Sequence, residues 1–176
     1  MDDSVSLKEY SLWLMPEREE AEIIKSFFIK VRRLINTIAF KPHVTLLGGL
    51  TLSEPQIIER IDKLAAETAP FRVFFTEAGE TEGFYKSIFL KCEETEELME
   101  MNKYAQELFS TNNPYIPHMS VIYGDIDPTT KKEILDSIDL LTIQSLAFNV
   151  DSIFLCKAFG TCDEWEIIYE IPLKNR

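Results

Sequence analysis

One short phrase is written twice in this chain, and it constrains the fold more than any other feature. Pro42-His43-Val44-Thr45-Leu46-Leu47-Gly48 is answered by Pro117-His118-Met119-Ser120-Val121-Ile122-Tyr123-Gly124. Both copies read proline, histidine, apolar, hydroxyl and two apolar residues, followed by a glycine at once in the first and after Tyr123 in the second, and they contain the chain's only two histidines. A short apolar run punctuated by proline and glycine predicts a strand. Side chains alternate along a strand, so His43 and Thr45 share one face while Val44 and Leu46 take the other, and His118 and Ser120 do the same.

The surroundings repeat as well. Tyr10 to Met15 reads as a strand, and Pro16 with Glu17, Glu19 and Glu20 opens a helix whose apolar stripe runs through Ile23, Ile24, Phe27, Phe28, Val31, Leu34, Ile35 and Ile38. The first motif strand, Pro42 to Leu47, is expected to stop at Gly48 and Gly49. Ser53 with Gln56 then makes a capping box for a helix buried through Ile57, Ile58, Ile61, Leu64 and Ala65 and ended by Pro70. Strands Phe71 to Phe75 and Phe84 to Cys92 are expected to pair through a turn at Gly79 to Gly83. Thr95 caps a third helix carrying Leu98, Met101, Ala105 and Leu108, and a polar break, Thr111 to Pro117, leads into the second motif strand. Asp127 and Pro128 start a short helix with Ile134, Leu135 and Ile138, and strands Ile143 to Leu155 and Trp165 to Leu173 close the chain around a turn at Gly160. The order strand, helix, motif strand, helix thus occurs twice. It predicts two similar lobes that bring their motif strands side by side about an approximate two-fold axis.

Such an axis gathers four polar groups in one cleft. Two imidazoles facing each other across a phosphate supply what hydrolysis of a cyclic diester needs, one taking a proton from water and the other protonating the departing ribose oxygen. Histidine suits both tasks because its ordinary pKa lies near neutrality. The hydroxyls of Thr45 and Ser120 are placed to donate to the non-bridging oxygens. His43, Thr45, His118 and Ser120 are therefore the candidate catalytic residues, and the chemistry requires no metal.

Composition bounds the substrate. A chain of 176 residues with 45% apolar and 27% charged residues can bury a core, and residues 1–176 are expected to form one bilobal body without a separable second domain. The net charge of -12 repels long nucleic acids but not a small phosphate held by a few local groups. Cys92, Cys156 and Cys162 cannot all pair within the chain and lack metal-ligand spacing. With no secretory signal and no membrane-length apolar run, a cytoplasmic monomer is expected. Lys41, Lys86 and Lys91 read as solvated lysines, and Glu93, Glu94, Glu96 and Glu97 as a solvated helix start rather than a metal site.

At its doubled motif the chain resembles the two-histidine phosphoesterase superfamily, whose signature is a pair of H-x-[ST]-x motifs flanked by apolar residues. Ser11-Leu12-Trp13-Leu14-Met15-Pro16, the two motifs themselves and the closing Glu164-Trp165-Glu166 look like its plant and fungal cyclic phosphodiesterase branch, over nearly the whole chain. That resemblance implies an α+β fold of two similar lobes, with antiparallel sheets around a central cleft and helices on the outside. It also implies no cofactor, a small cyclic-phosphate nucleotide as substrate, and hydrolysis of ADP-ribose 1'',2''-cyclic phosphate and nucleoside 2',3'-cyclic phosphates, compounds that arise in tRNA splicing and RNA breakdown. His43 would be the general acid and His118 the general base. Trp13 and Tyr123, where the family has aromatics near the nucleotide, are candidate substrate-binding residues, by stacking on a base or through a cleft-facing hydroxyl, with packing and turn-anchoring roles as the alternatives. Two other readings stand beside this one: a phosphoesterase acting on RNA ends or 2',5' linkages, and a non-catalytic nucleotide-binding module.

Overall fold

A computed structural model describes residues 7–174 with the exception of 34 and 36, so the expected helical position Leu34 lies outside the described residues. Eight strands form one sheet, β1 (Leu7–Leu14), β2 (Val44–Leu50), β3 (Phe71–Glu80), β4 (Ile88–Cys92), β5 (His118–Ile122), β6 (Ala147–Val150), β7 (Ser152–Gly160) and β8 (Glu166–Pro172). Their spatial order is β6-β3-β4-β5-β2-β1-β7-β8, with every neighbouring pair antiparallel. The expected α+β architecture is present, and the two lobes are halves of one sheet. One half ends in β2 and the other in β5, and the motif strands join them at the pair Val44↔Met119.

The helices α1 (Arg18–Arg32), α2 (Glu54–Glu67), α3 (Glu96–Phe109), α4 (Pro128–Asp136) and α5 (Leu140–Ser145) form where the patterning asks for them. Thr95 accepts the Leu98 N–H at 3.4 Å and Asp127 accepts that of Thr130 at 3.0 Å, satisfying donors that a helix start leaves unpaired. Ser53 and Gln56 make the reciprocal half of a capping box, the Ser53 N–H donating to Oε1 of Gln56 at 3.2 Å. The apolar stripes of α1, α2 and α3 bury against one sheet face through Ile24, Phe28, Ile57, Ile61, Leu64, Leu98 and Met101, opposite Leu12, Leu14, Val44, Leu46 and Leu90. On the other face Trp13, Phe154, Cys156 and Ala158 form a smaller cluster edged by Met15, Trp165 and Ile167.

Several boundaries differ from expectation. The first motif strand begins at Val44, just after Pro42 and His43, and runs through Gly48 and Gly49 to Leu50, and Gly49, at φ 71°, occupies the left-handed region beside a bulge against β1. Helix α1 ends at Arg32, which leaves Ile38 39% exposed. Gly79 belongs to β3, and Phe84–Lys86 is a turn of 3₁₀ helix rather than the start of β4. Leu108 is only partly buried, and Phe109 takes its place on the core face of α3. The expected strand from Ile143 begins as α5, because Asp139 accepts the Thr142 N–H at 2.8 Å and caps a helical turn there.

Candidate functional site

The site is built by the join between the lobes. Val44 and Met119 are fully buried on the helix-covered face, so period-two alternation turns their neighbours to the opposite face. Extending the antiparallel register by one residue each way sets His43 across from Ser120 and Thr45 across from His118. Opposed pairs of this kind have Cβ atoms about 5 Å apart, and the diagonal pair, here the two histidines, about 7 to 8 Å. A phosphate can bridge that gap.

Both rings are wired alike. Nδ1 of His43 lies 2.7 Å from the Lys41 carbonyl, and Nδ1 of His118 lies 2.9 Å from the Ile116 carbonyl. A carbonyl only accepts, so each Nδ1 carries the proton, and each Nε2 of the neutral ring is left with its lone pair for chemistry. The contact recurs two residues upstream of each histidine, at Lys41-Pro42-His43 and Ile116-Pro117-His118, as the duplicated phrase requires.

Their surroundings differ. Trp13 pairs with Thr45 across β1 and β2, and its indole stacks on His43 with centroids 3.6 Å apart and planes 8° from parallel. The Trp13 indole N–H donates to Ser11 Oγ at 3.1 Å, which locks the ring. His43 is 6% exposed, and burial drives its pKa from 6.5 to about 4, the Lys41 carbonyl opposing and the charged form of His118 adding to the fall. His118 is more open. Burial lowers its pKa too, against the Ile116 carbonyl and with help from the Lys86 ammonium. Phe89 meets the His118 ring edge to face at 5.5 Å.

The hydroxyls are placed unequally. Thr45 and His118 share a cavity of about 270 Å3 with Lys86, Asn102, Gln106 and Tyr115. Ser120 Oγ donates to the Tyr85 carbonyl at 2.8 Å, so that hydroxyl must rotate off the carbonyl before it can donate to a phosphate oxygen. Tyr123 is 5% exposed and stacks on Phe40 at 3.7 Å, with Tyr85 and Trp165 edge-on at 5.3 and 6.1 Å. Burial raises its pKa, which keeps the phenol protonated. Trp13 and Tyr123 thus both pack against other rings, Trp13 directly on the His43 imidazole.

Reading the sequence missed Lys86, Tyr85 and Phe40. Lys86, taken there as solvated, lies over the Phe89 ring at 4.4 Å, loses pKa through burial and bears on His118. The available signal was a lysine closing an aromatic pair, Phe84-Tyr85-Lys86, just after Gly83. Lys41 contributes its carbonyl, while Lys91 lies 4.0 Å from Glu77 on the strand beside His118. Among the described residues no group of three or more His, Cys, Asp or Glu side chains is placed to hold a metal ion.

An antiparallel sheet that holds two identically wired histidines at the join of its halves defines a phosphoesterase of the two-histidine class. The chain belongs to the 2'-5' RNA ligase superfamily, whose family model matches residues 38–159 and so takes in both motifs. It is similar to the cyclic phosphodiesterase of Arabidopsis thaliana, with 24% identity covering 94% of this chain and 96% of the relative. It is also similar to a 2',3'-cyclic-nucleotide 3'-phosphodiesterase of Yarrowia lipolytica, at 22% identity over 90% and 96% of the two chains. Among solved structures, Escherichia coli LigT complexed with phosphate superposes with a TM-score of 0.68 at 12% identity, covering 97% of this chain and 99% of that one. LigT complexed with 3'-AMP gives 0.67 at 11% identity, over 96% and 100%. These likenesses establish the fold. No helix among the described residues is long and apolar enough to cross a membrane.

Proposed function

We propose that the chain is a metal-independent cyclic phosphodiesterase that opens nucleoside 2',3'-cyclic phosphates, ADP-ribose 1'',2''-cyclic phosphate, or both, to monoesters, with His43, Thr45, His118 and Ser120 as its catalytic residues. The observation that carries the reading is the matched wiring of His43 and His118, each holding its Nδ1 proton on a backbone carbonyl and so keeping Nε2 for proton transfer. The names of the Arabidopsis and Yarrowia relatives support the substrate class. One imidazole removes a proton from water as its oxygen bonds to phosphorus. The bond from phosphorus to one ribose oxygen breaks, and that oxygen takes a proton from the second imidazole. The ring opens to a phosphate monoester and a free hydroxyl, and the two histidines exchange protonation states.

Burial separates the roles. His43, held at about 4, is the ring kept unprotonated and suits the base, which leaves the more open His118 as the acid. This reverses the assignment implied by the family resemblance. Lys86 supplies positive charge at the His118 side, and Thr45 and a rotated Ser120 donate to the non-bridging oxygens.

The test is turnover of 2',3'-cyclic AMP and of ADP-ribose cyclic phosphate in chelator. His43→Ala and His118→Ala should each lose about 100-fold or more in kcat/KM. A parent protein without turnover, or two variants with full turnover, removes the proposal. An analogue with sulfur as the leaving atom needs no protonation, and it should restore rate to His118→Ala and not to His43→Ala. Rescue of the other variant would restore the assignment implied by the resemblance. The family description favours one second reading, action on RNA ends or 2',5' linkages, and strong preference for an oligonucleotide over the mononucleotide would select it.

A further inference from the structure

The two halves of the sheet meet on little backbone. Among the described residues β2 and β5 are joined at the single pair Val44↔Met119, whereas β1 and β7 pair at seven positions. This seam determines how far His43 stands from His118, and so short a ladder supplies few backbone bonds to hold two strands at a fixed spacing. Side chains supply what the ladder lacks, and they do so in a pattern that repeats across the seam.

Arg32 on α1, the helix before the first motif, donates through Nε to the carbonyl of Val121 in the second motif at 2.8 Å. Asn102 on α3, the helix before the second motif, donates through Nδ2 to the carbonyl of Leu46 in the first at 2.7 Å. Leu46 and Val121 are equivalent positions, each three residues past its motif histidine, and both are buried. Each helix therefore reaches across the seam to the strand of the other half, and the packing agrees, with α1 against β5 and α3 against β2. A second donor backs each contact: Thr37 Oγ1 donates to the Tyr123 carbonyl at 3.1 Å, and the Tyr115 hydroxyl to the Thr45 carbonyl at 3.2 Å. The two side chains are themselves fixed. The Arg32 guanidinium lies 4.8 Å from the Phe28 ring and 4.4 Å from that of Phe40, and Asn102, 4% exposed, accepts at Oδ1 from Gln106 Nε2 at 2.8 Å. A buried carbonyl keeps such a partner because losing it is costly, and a bond from a charged donor is stronger than a neutral one.

We propose that Arg32 and Asn102 are positioning residues that act as a crossed pair of clamps: each holds the motif strand of the opposite half by its backbone, and together they set the gap across which the two imidazoles work. That the gap serves a reaction rests on the function proposed above; that the clamps hold the seam does not. Misplacement of reacting groups by about 1 Å can lower a rate on the order of 100-fold, so a loosened seam lowers kcat before it weakens substrate binding.

Methionine and glutamine match the stem of Arg32 and differ where its Nε stands, methionine placing a methyl group there and glutamine an N–H donor. Both lose the guanidinium charge, so the difference between them isolates the bond to Val121. Arg32→Met and Asn102→Leu should each lower kcat on 2',3'-cyclic AMP about tenfold or more while KM changes less than about threefold, and Arg32→Gln should recover most of the loss. In the same two impaired variants, amide hydrogen exchange of β2 and β5, followed by NMR, should quicken about tenfold more than that of the β1–β7 pair, whereas a general loss of stability quickens both alike. Equal acceleration in the two regions, no acceleration at the seam, or an Arg32→Gln protein as impaired as Arg32→Met would overturn the clamps. Quickened exchange at the seam with the parent's kcat would overturn the positioning of the imidazoles. A parent protein without turnover removes the proposed function instead, and the exchange comparison then decides the clamps alone.

Discussion

Neutral His43 is part of the folded state, and this ties stability to pH. Its pKa is about 4 when folded against 6.5 ordinarily, so between those values the unfolded chain binds the extra proton. The contribution is complete above about pH 6.5, is lost as pH falls toward 4, and amounts to about 3 kcal/mol. Carboxylates titrate in the same window, so the informative quantity is a difference: the drop in Tm from pH 7 to pH 4 should be smaller in His43→Gln than in the parent by roughly 6 to 12 °C. Equal drops would show that the imidazole is not held neutral by burial. At the same scale Trp13 was legible as an aromatic near the motif, but its face-to-face contact with His43 was not, because that depends on the register of β1 against β2.

At the scale of elements, the 3₁₀ turn and the β3–β4 pair decide what stands beside His118. Thr81 Oγ1 donates to the Lys86 carbonyl at 2.7 Å, and the buried ammonium of Lys131 donates to the Thr81 carbonyl at 2.6 Å, fixing the turn that presents Lys86 and the Tyr85 carbonyl. Gly79 lets the Phe89 ring lie across β3, since a Cβ there would come within 2.6 Å of that ring. Gly79→Ala must displace Phe89, whose ring contacts both His118 and Lys86. We expect a stability loss of about 1 to 3 kcal/mol together with a fall in kcat. A kcat equal to the parent's would show that Phe89 has no part in placing His118. The strand pairing of this region was readable from apolar patterning, whereas the turn was misread as strand, because Phe84 and Tyr85 have high β propensity and only the pairing of Ile88 with Ile122 starts the strand later.

For the whole molecule, the net charge of -12 surrounds a site whose local charge is positive through Lys86. A small anion is repelled by the distant field and attracted by the near one, and salt screens the distant part first. Turnover of 2',3'-cyclic AMP should therefore show kcat/KM that holds or rises as ionic strength goes from about 10 to 150 mM, the opposite of the steep fall expected for a nucleic-acid tracker. A fall of tenfold or more would favour the polymer reading. The sheet is continuous across both lobes at Val44↔Met119, so the geometry between the histidines belongs to the fold and not to a hinge between bodies.

The amino-acid sequence by itself determined the strand character of both motifs, the side of the strand on which His43, Thr45, His118 and Ser120 lie, and the helices with capped starts, because these follow from short-range periodicity and local hydrogen bonding. It also showed the duplication, and with it the expectation that two lobes meet at their motif strands. Only the tertiary structure decided the registers of β2 against β5 and β1, the unequal burial that separates the two imidazoles, the arrival of Lys86 from a misread turn, and the burial of the unpaired donors of Arg32 and Trp165. Those features depend on which residues far apart in the chain become neighbours, and desolvation and unpaired hydrogen bonds exist only once the chain has closed around them.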